Sequence, residues 1–188
     1  LSGLLEGEDV MATASAMRAM GATMTRTGEG TWEITGVGAQ GLASPAAPID
    51  CGNSGTSARL LAGLVAPYDI EVTFTGDASL TRRPMKRIMD PLGQMGVRFA
   101  ASEGGRLPLT LTGGNLVPID YDMPMASAQV KSAILLAGLG TQGTTRVREP
   151  LPSRDHTERM LEMFGVQCGR EGATITITGS ARLAAPSG

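Results

Sequence analysis

Four short stretches of this chain collect hydroxyl, amide and guanidinium groups where helices are expected to begin: NSGTSAR at residues 53–59, TRRP at 81–84, ASAQVKS at 126–132 and SRDH at 153–156. A helix start presents free amide N–H groups and the positive end of the backbone dipole, and arginine adds a forked pair of donors that matches phosphate. Gly52 and Gly55 would let the backbone of the first stretch come close to a ligand. One such start is an ordinary capped helix. Several on one face imply one or more phosphorylated small molecules held between them.

Each stretch also has a plainer role. Ser127 suits an N-cap, and Asp155 with Glu158 has the spacing of a capping box, so Asp155 is read as structural and His156 as a helix-start residue with no ligand. Arg82, Arg83, Lys86 and Arg87 would suit a solvated helix face. Convergence of the four stretches is what favours the anion site over these separate explanations. The sequence has neither a Walker-type GK[ST] nor a dinucleotide-binding glycine pattern after a strand, so nucleotide hydrolysis and hydride transfer are poorly supported.

The elements that must position these groups repeat along the chain. Met20-Gly21, Met95-Gly96 and Phe164-Gly165 each pair an apolar helix end with a glycine suited to the left-handed position, and an alternating strand follows. Each strand turns through a glycine-bearing loop into a second one, expected at Trp32 to Ile34, Leu107 to Leu111 and Ile175 to Ile177. Helical stripes precede the glycines: Val10, Ala14 and Met17; Met85, Ile88, Met89 and Leu92; Met160, Leu161 and Phe164. Pro84 suits a first helical turn, whereas Pro91 should kink or interrupt the middle helix. An identical pentapeptide, LLAGL, occurs at residues 60–64 and 135–139, each time after a polar turn and before a strand. The expected organisation is one lobe over residues 1–180, made of unit one at 1–36 without its first helix, unit two at 50–114 and unit three at 123–179. Residues 181–188 read as a linker cut short.

Composition removes several classes of function. The chain has 188 residues and a net charge of −2, so no global positive field exists to hold nucleic acid or an anionic membrane. No apolar run reaches bilayer-spanning length, and a cytoplasmic location is expected. Cys51, Cys168 and the single His156 have no metal-ligand or disulfide spacing.

The motifs GNSGTSARL at 52–60, GDASLTRRPM at 76–85, PMASAQVKSA at 124–133 and SRDHTERML at 153–161 together resemble those of the 5-enolpyruvylshikimate-3-phosphate synthase family. The resemblance runs over essentially the whole chain. It implies an α/β fold in which βαβαββ units form one lobe of the enolpyruvyl transferase, or inside-out α/β barrel, architecture. It also implies transfer of the enolpyruvyl group of phosphoenolpyruvate to the 5-hydroxyl of shikimate 3-phosphate, in the shikimate pathway, with no metal and no organic cofactor. By resemblance, Gly55, Arg83 and Gln129 lie at the phosphoenolpyruvate site, and Ser127, Ala128, Gln129 and Arg154 at the shikimate 3-phosphate site. Asn53, Thr56 and Arg59 are secondary candidates.

The family's lysine, serine and arginine at its first helix have no counterpart here, and its acid/base carboxylates belong to an opposite lobe. A chain of this extent is therefore expected to be most of an N-terminal lobe, with no confident catalytic residue and no phosphate release of its own. Glyphosate is implied as an inhibitor of the full enzyme. Glycine at Gly55, where some members carry alanine, implies comparative sensitivity. Two alternatives remain. A UDP-N-acetylglucosamine enolpyruvyl transferase would usually carry a reactive cysteine before the arginine, and residues 77–82 contain none. The other is a non-catalytic domain that binds a phosphorylated metabolite.

Overall fold

A computed structural model describes residues 1–38, 41–179 and 183–184; the expected linker at 181–188 lies almost wholly outside the described residues. The chain runs α1 (Glu8–Ala19), β1 (Thr23–Gly28), β2 (Thr31–Thr35), β3 (Ile49–Asp50), α2 (Gly55–Val65) and β4 (Glu71–Thr75). It continues through α3 (Ala78–Thr81), α4 (Lys86–Gln94), β5 (Arg98–Ser102), β6 (Arg106–Thr112), β7 (Asp120–Asp122) and α5 (Ala128–Leu139). The last elements are β8 (Thr144–Arg148), α6 (His156–Met163), β9 (Gly169–Glu171) and β10 (Thr174–Thr178).

Two four-stranded sheets share one topology, β3-β4-β6-β5 and β7-β8-β10-β9, with the outer pair β3/β4 or β7/β8 parallel and the remaining pairs antiparallel. Each follows the order βαβαββ. The short leading strands β3 and β7 are not evident in the residue pattern. The third sheet is the β1-β2 hairpin, and residues 1–4 lie along its outer edge. There the Leu1 ammonium donates to Trp32 O at 2.8 Å, Trp32 N to Leu1 O at 2.9 Å and Leu4 N to Gly30 O at 2.9 Å. This segment stands beside β2 much as β4 stands beside β6.

The three helix-end glycines act as the pattern demands. Gly21, Gly96 and Gly165 have φ of 107°, 111° and 83°, which glycine adopts without a Cβ clash. The next amide reaches back to the helix, Ala22 to Met17 O, Val97 to Leu92 O and Val166 to Leu161 O, closing three Schellman motifs.

Inward positions of the strands alternate as period-two burial requires: Val72 and Phe74 in β4, Leu107, Leu109 and Leu111 in β6, Ile175 and Ile177 in β10. They close over α2 and α5, which lie in the middle, so the helices are inside and the sheets outside. α5 is apolar almost all round, and Val130 to Leu135 are all buried. Side chains such as Phe74, Ile134 and Leu109 each contribute about 1.5–3 kcal/mol on full burial.

Gly63 lets α2 and α5 approach to backbone contact. A Cβ there would lie 2.6 Å from Ala133 Cα and overlap the Ala133 carbonyl. Gly138, its counterpart in the second LLAGL, instead faces Ile177 and Thr145 of the sheet. One pentapeptide thus serves two different contacts.

Four expectations are corrected. Met160 is 56 % exposed, because α6 turns Glu158 and Leu161 inward instead. Pro91 does not interrupt α4; the bond it cannot make concerns only the carbonyl of Arg87, an exposed residue. Pro84 precedes α4, whose N-cap is Met85. The third module's first strand starts only at Gly169, three residues later than the apolar pattern suggests.

Replacing Gly63 by alanine is expected to lower stability by about 1–3 kcal/mol in urea unfolding, although alanine is the better helix former. Gly93→Ala in α4, where nothing lies within 4 Å of the new methyl, should gain about 0.5–1 kcal/mol. Equal effects at both positions would contradict close α2–α5 packing.

Candidate functional site

The first turn of α2 is fixed by its own hydroxyls. Ser54 is the N-cap and accepts from Ser57 N at 3.1 Å, while Ser57 Oγ donates to Asp9 O at 3.2 Å and exchanges a 2.8 Å bond with Thr13 Oγ1. Both serines face inward, tying the start of α2 to α1. Gly52, at φ 54°, makes the preceding turn and donates to Asp50 Oδ1 at 2.8 Å.

What remains outward lines an open depression of about 590 Å³, shared by Glu8, Asp9, Asn53, Gly55, Thr56, Asp77, Ser79, Arg83 and Gln129. It draws together the starts of α1, α2, α3 and α5. A second depression of about 460 Å³ is lined by residues 126–129 and by Pro152, Ser153 and Arg154. Gln129 lines both. Its amide nitrogen donates to Thr56 Oγ1 at 2.8 Å, and its oxygen accepts from Arg59 Nη1 at 3.0 Å.

Arg59 lies behind this junction, donating also to Gly55 O at 3.1 Å and Pro84 O at 3.4 Å. Burial, then the neighbouring charges of Arg83 and Arg87, hold its pKa below the usual guanidinium value. Among the described residues, Arg59, Arg82, Arg83, Arg87 and Arg154 form no ion pair. Like charges crowded without a carboxylate partner are relieved by a bound anion. The opposite wall carries Glu8 and Asp9, and Asn53 Nδ2 donates to Glu8 Oε2 at 3.4 Å. The first depression therefore offers guanidinium on one side and carboxylate on the other, suited to a molecule with both phosphate and hydroxyl groups.

Gly55 sits where a side chain would enter the cluster. A Cβ there would lie 2.6 Å from Arg59 Nη1 and 3.4 Å from Arg83 Nη1. Alanine must push the flexible end of Arg59 aside.

Two expected roles change. Arg82 and Arg83 do not open a helix; Arg82 caps the C-terminal end of α3, where a cation suits the dipole. Asp155 precedes α6 without a side-chain capping bond, and Glu158 is no box partner, because it turns inward to Lys131. Lys131, to which the sequence assigned no role, is fully buried between Glu149 and Glu158. Ser127 is the N-cap of α5 and accepts from Val130 N at 3.4 Å. Glu8, Asp9, Asp77 and Ser79 were not candidates from sequence. Their positions in helix first turns were the available signal, and it does not say which starts converge.

Burial pushes the Cys51 thiol up to about 12 and the Cys168 thiol up to about 11, so neither is a ready nucleophile. Among the described residues, no cluster of His, Cys, Asp or Glu could hold a metal ion, and no helix is long and apolar enough to cross a membrane.

Residues 1–187 match the family model described as EPSP synthase (3-phosphoshikimate 1-carboxyvinyltransferase). The chain is 59 % identical to the 3-phosphoshikimate 1-carboxyvinyltransferase of Novosphingobium aromaticivorans and 57 % identical to that of Parvibaculum lavamentivorans, over 97 % of this chain in both cases. It spans only 43 % and 42 % of those relatives. The EPSP synthase structure from Acinetobacter baumannii superposes with a TM-score of 0.95 at 49 % identity, over 98 % of this chain and 42 % of that one. The enolpyruvyl transferase NikO from Streptomyces tendae, at 24 % identity and TM-score 0.69, shares the fold.

Proposed function

The chain belongs to the EPSP synthase (3-phosphoshikimate 1-carboxyvinyltransferase) family, and on that premise we propose that it supplies one wall of a site joining phosphoenolpyruvate to shikimate 3-phosphate. In the reaction, the 5-hydroxyl gives up its proton as its oxygen bonds to C2 of phosphoenolpyruvate, and the methylene carbon C3 of phosphoenolpyruvate takes up a proton. Loss of phosphate and of a proton from that carbon then restores the double bond, giving 5-enolpyruvylshikimate 3-phosphate. Two phosphorylated anions must be held side by side, and their mutual repulsion must be offset.

The observation that carries this reading is Gln129, which lines both depressions while each holds an arginine without an ion-pair partner among the described residues. Phosphoenolpyruvate would lie at Gly55 and Arg83, and shikimate 3-phosphate at Ser127, Ala128 and Arg154, with Gln129 between them. Asn53 and Thr56 would border the first anion, and Arg59 would support it from behind. On this reading residues 1–36, 50–114 and 123–179 are three units of one lobe, and a cytoplasmic location goes with it.

Calorimetric titration of the full-length protein with shikimate 3-phosphate should show saturable binding that weakens roughly 10–100-fold in Ser127→Ala/Gln129→Ala, and no heat with UDP-N-acetylglucosamine. Equal affinity of wild type and variant would sink the residue assignment; binding of the UDP-sugar instead would sink the substrate. Glyphosate should inhibit the wild type, and Gly55→Ala should raise its inhibition constant about tenfold or more, by the loss of room beside Arg59 and Arg83. Unchanged inhibition in the variant would count against placing the inhibitor there.

A further inference from the structure

Lys131 lies one turn into α5, where its amide donates to the carbonyl of the N-cap Ser127 at 3.0 Å. Its ammonium is wholly buried, 3.0 Å from Glu149 Oε2 and 2.7 Å from Glu158 Oε1. The second contact is electrostatic only, since neither oxygen of Glu158 has a hydrogen-bond partner. Glu149 uses its other oxygen to accept from the Ser153 hydroxyl, and its amide is anchored to Ala173 O at 3.0 Å. Ser132 and Thr157 add a 2.7 Å bond between α5 and α6.

One carboxylate would neutralise Lys131, yet two are buried with it. Apolar residues of similar volume would serve packing at least as well, so the cluster is poorly explained by stability alone. Its connectivity is more telling: an unbroken run leads from the start of α5 through Lys131 and Glu149 to Ser153, next to Arg154. Both ends of that run line the second depression.

We propose that the buried Lys131–Glu149 pair, acting through Ser153, is a positioning device that sets Arg154 against the start of α5 and thereby fixes affinity for the second phosphorylated substrate. This rests on reading the second depression as the shikimate 3-phosphate site. Glu149 is 2 % exposed, so it acts on substrate only through the loop.

The test uses Glu149→Leu, Ser153→Ala, their double mutant and Glu149→Gln in the full-length protein. Glu149→Leu leaves Lys131 matched one to one with Glu158, so the fold should persist, as thermal melting would confirm. Glu149→Leu and Ser153→Ala should each raise KM for shikimate 3-phosphate about tenfold, with kcat and the KM for phosphoenolpyruvate within about twofold and the double mutant no worse than either single. Glu149→Gln has a single acceptor oxygen, which serves Ser153 only by turning its NH2, a donor, toward Lys131, so KM should recover in part and lie between the wild type and Glu149→Leu. Additive losses would mean that Ser153 touches substrate directly, and would overturn the proposal.

A second readout needs no substrate. The amide order parameter of Arg154 should fall in Glu149→Leu and recover in part in Glu149→Gln. An unchanged value in Glu149→Leu overturns the positioning role, whereas a wild type that fails to use shikimate 3-phosphate refutes only the functional reading beneath it.

Discussion

The site depends on how closely α2 and α5 can run beside each other. With the sheets outside, these two helices form the centre of the molecule, and Gly63 against the Ala133 backbone sets their separation. At their far ends Gly140 meets the ring of Pro67, so the helices lie side by side with their starts together. At that separation Gln129 reaches Thr56 while accepting from Arg59. Close packing deep in the core is thus converted into a hydrogen-bonded junction between two helix starts at the surface.

Charge follows the same geometry. Bringing helix starts together adds their positive dipole ends, and Arg59, Arg83 and Arg87 crowd the same region. This arrangement is unfavourable for an empty surface and favourable for one that holds anions. Lys131, the one buried cation among the described residues, is treated differently, with two carboxylates around it. Among the described residues, Arg83 and Arg154, which line the depressions, form no ion pair, whereas Lys131 behind them has two.

Much of this was legible because its signals are local. The Schellman glycines at Gly21, Gly96 and Gly165 require only a helix end and a positive φ, so three copies in the sequence become three copies in space. LLAGL marked the two central helices for the same reason. The leading strands β3 and β7 were not readable, being two and three residues long and held by pairing with β4 and β8. Glu158 shows the limit of spacing arguments, since an acid three residues after Asp155 satisfies a capping box on paper, while a buried lysine on another helix claims it in the fold. Lys131 had no role assigned from sequence, because its burial depends on Glu149 after β8 and Glu158 in α6, far from residue 131 along the chain.

On the proposed reading, the two helix starts and their arginines form one built anion site, distinct from a merely basic surface. The most direct measurement is an amide chemical-shift titration of the full-length protein with inorganic phosphate at two ionic strengths. Saturable shifts are expected, concentrated at Asn53 to Thr56 and Ser127 to Gln129 and still present at the higher salt. Shifts confined to the exposed face around Arg82, Lys86 and Arg87 and abolished by salt would contradict it, because screening removes surface attraction well before it removes a partly desolvated contact.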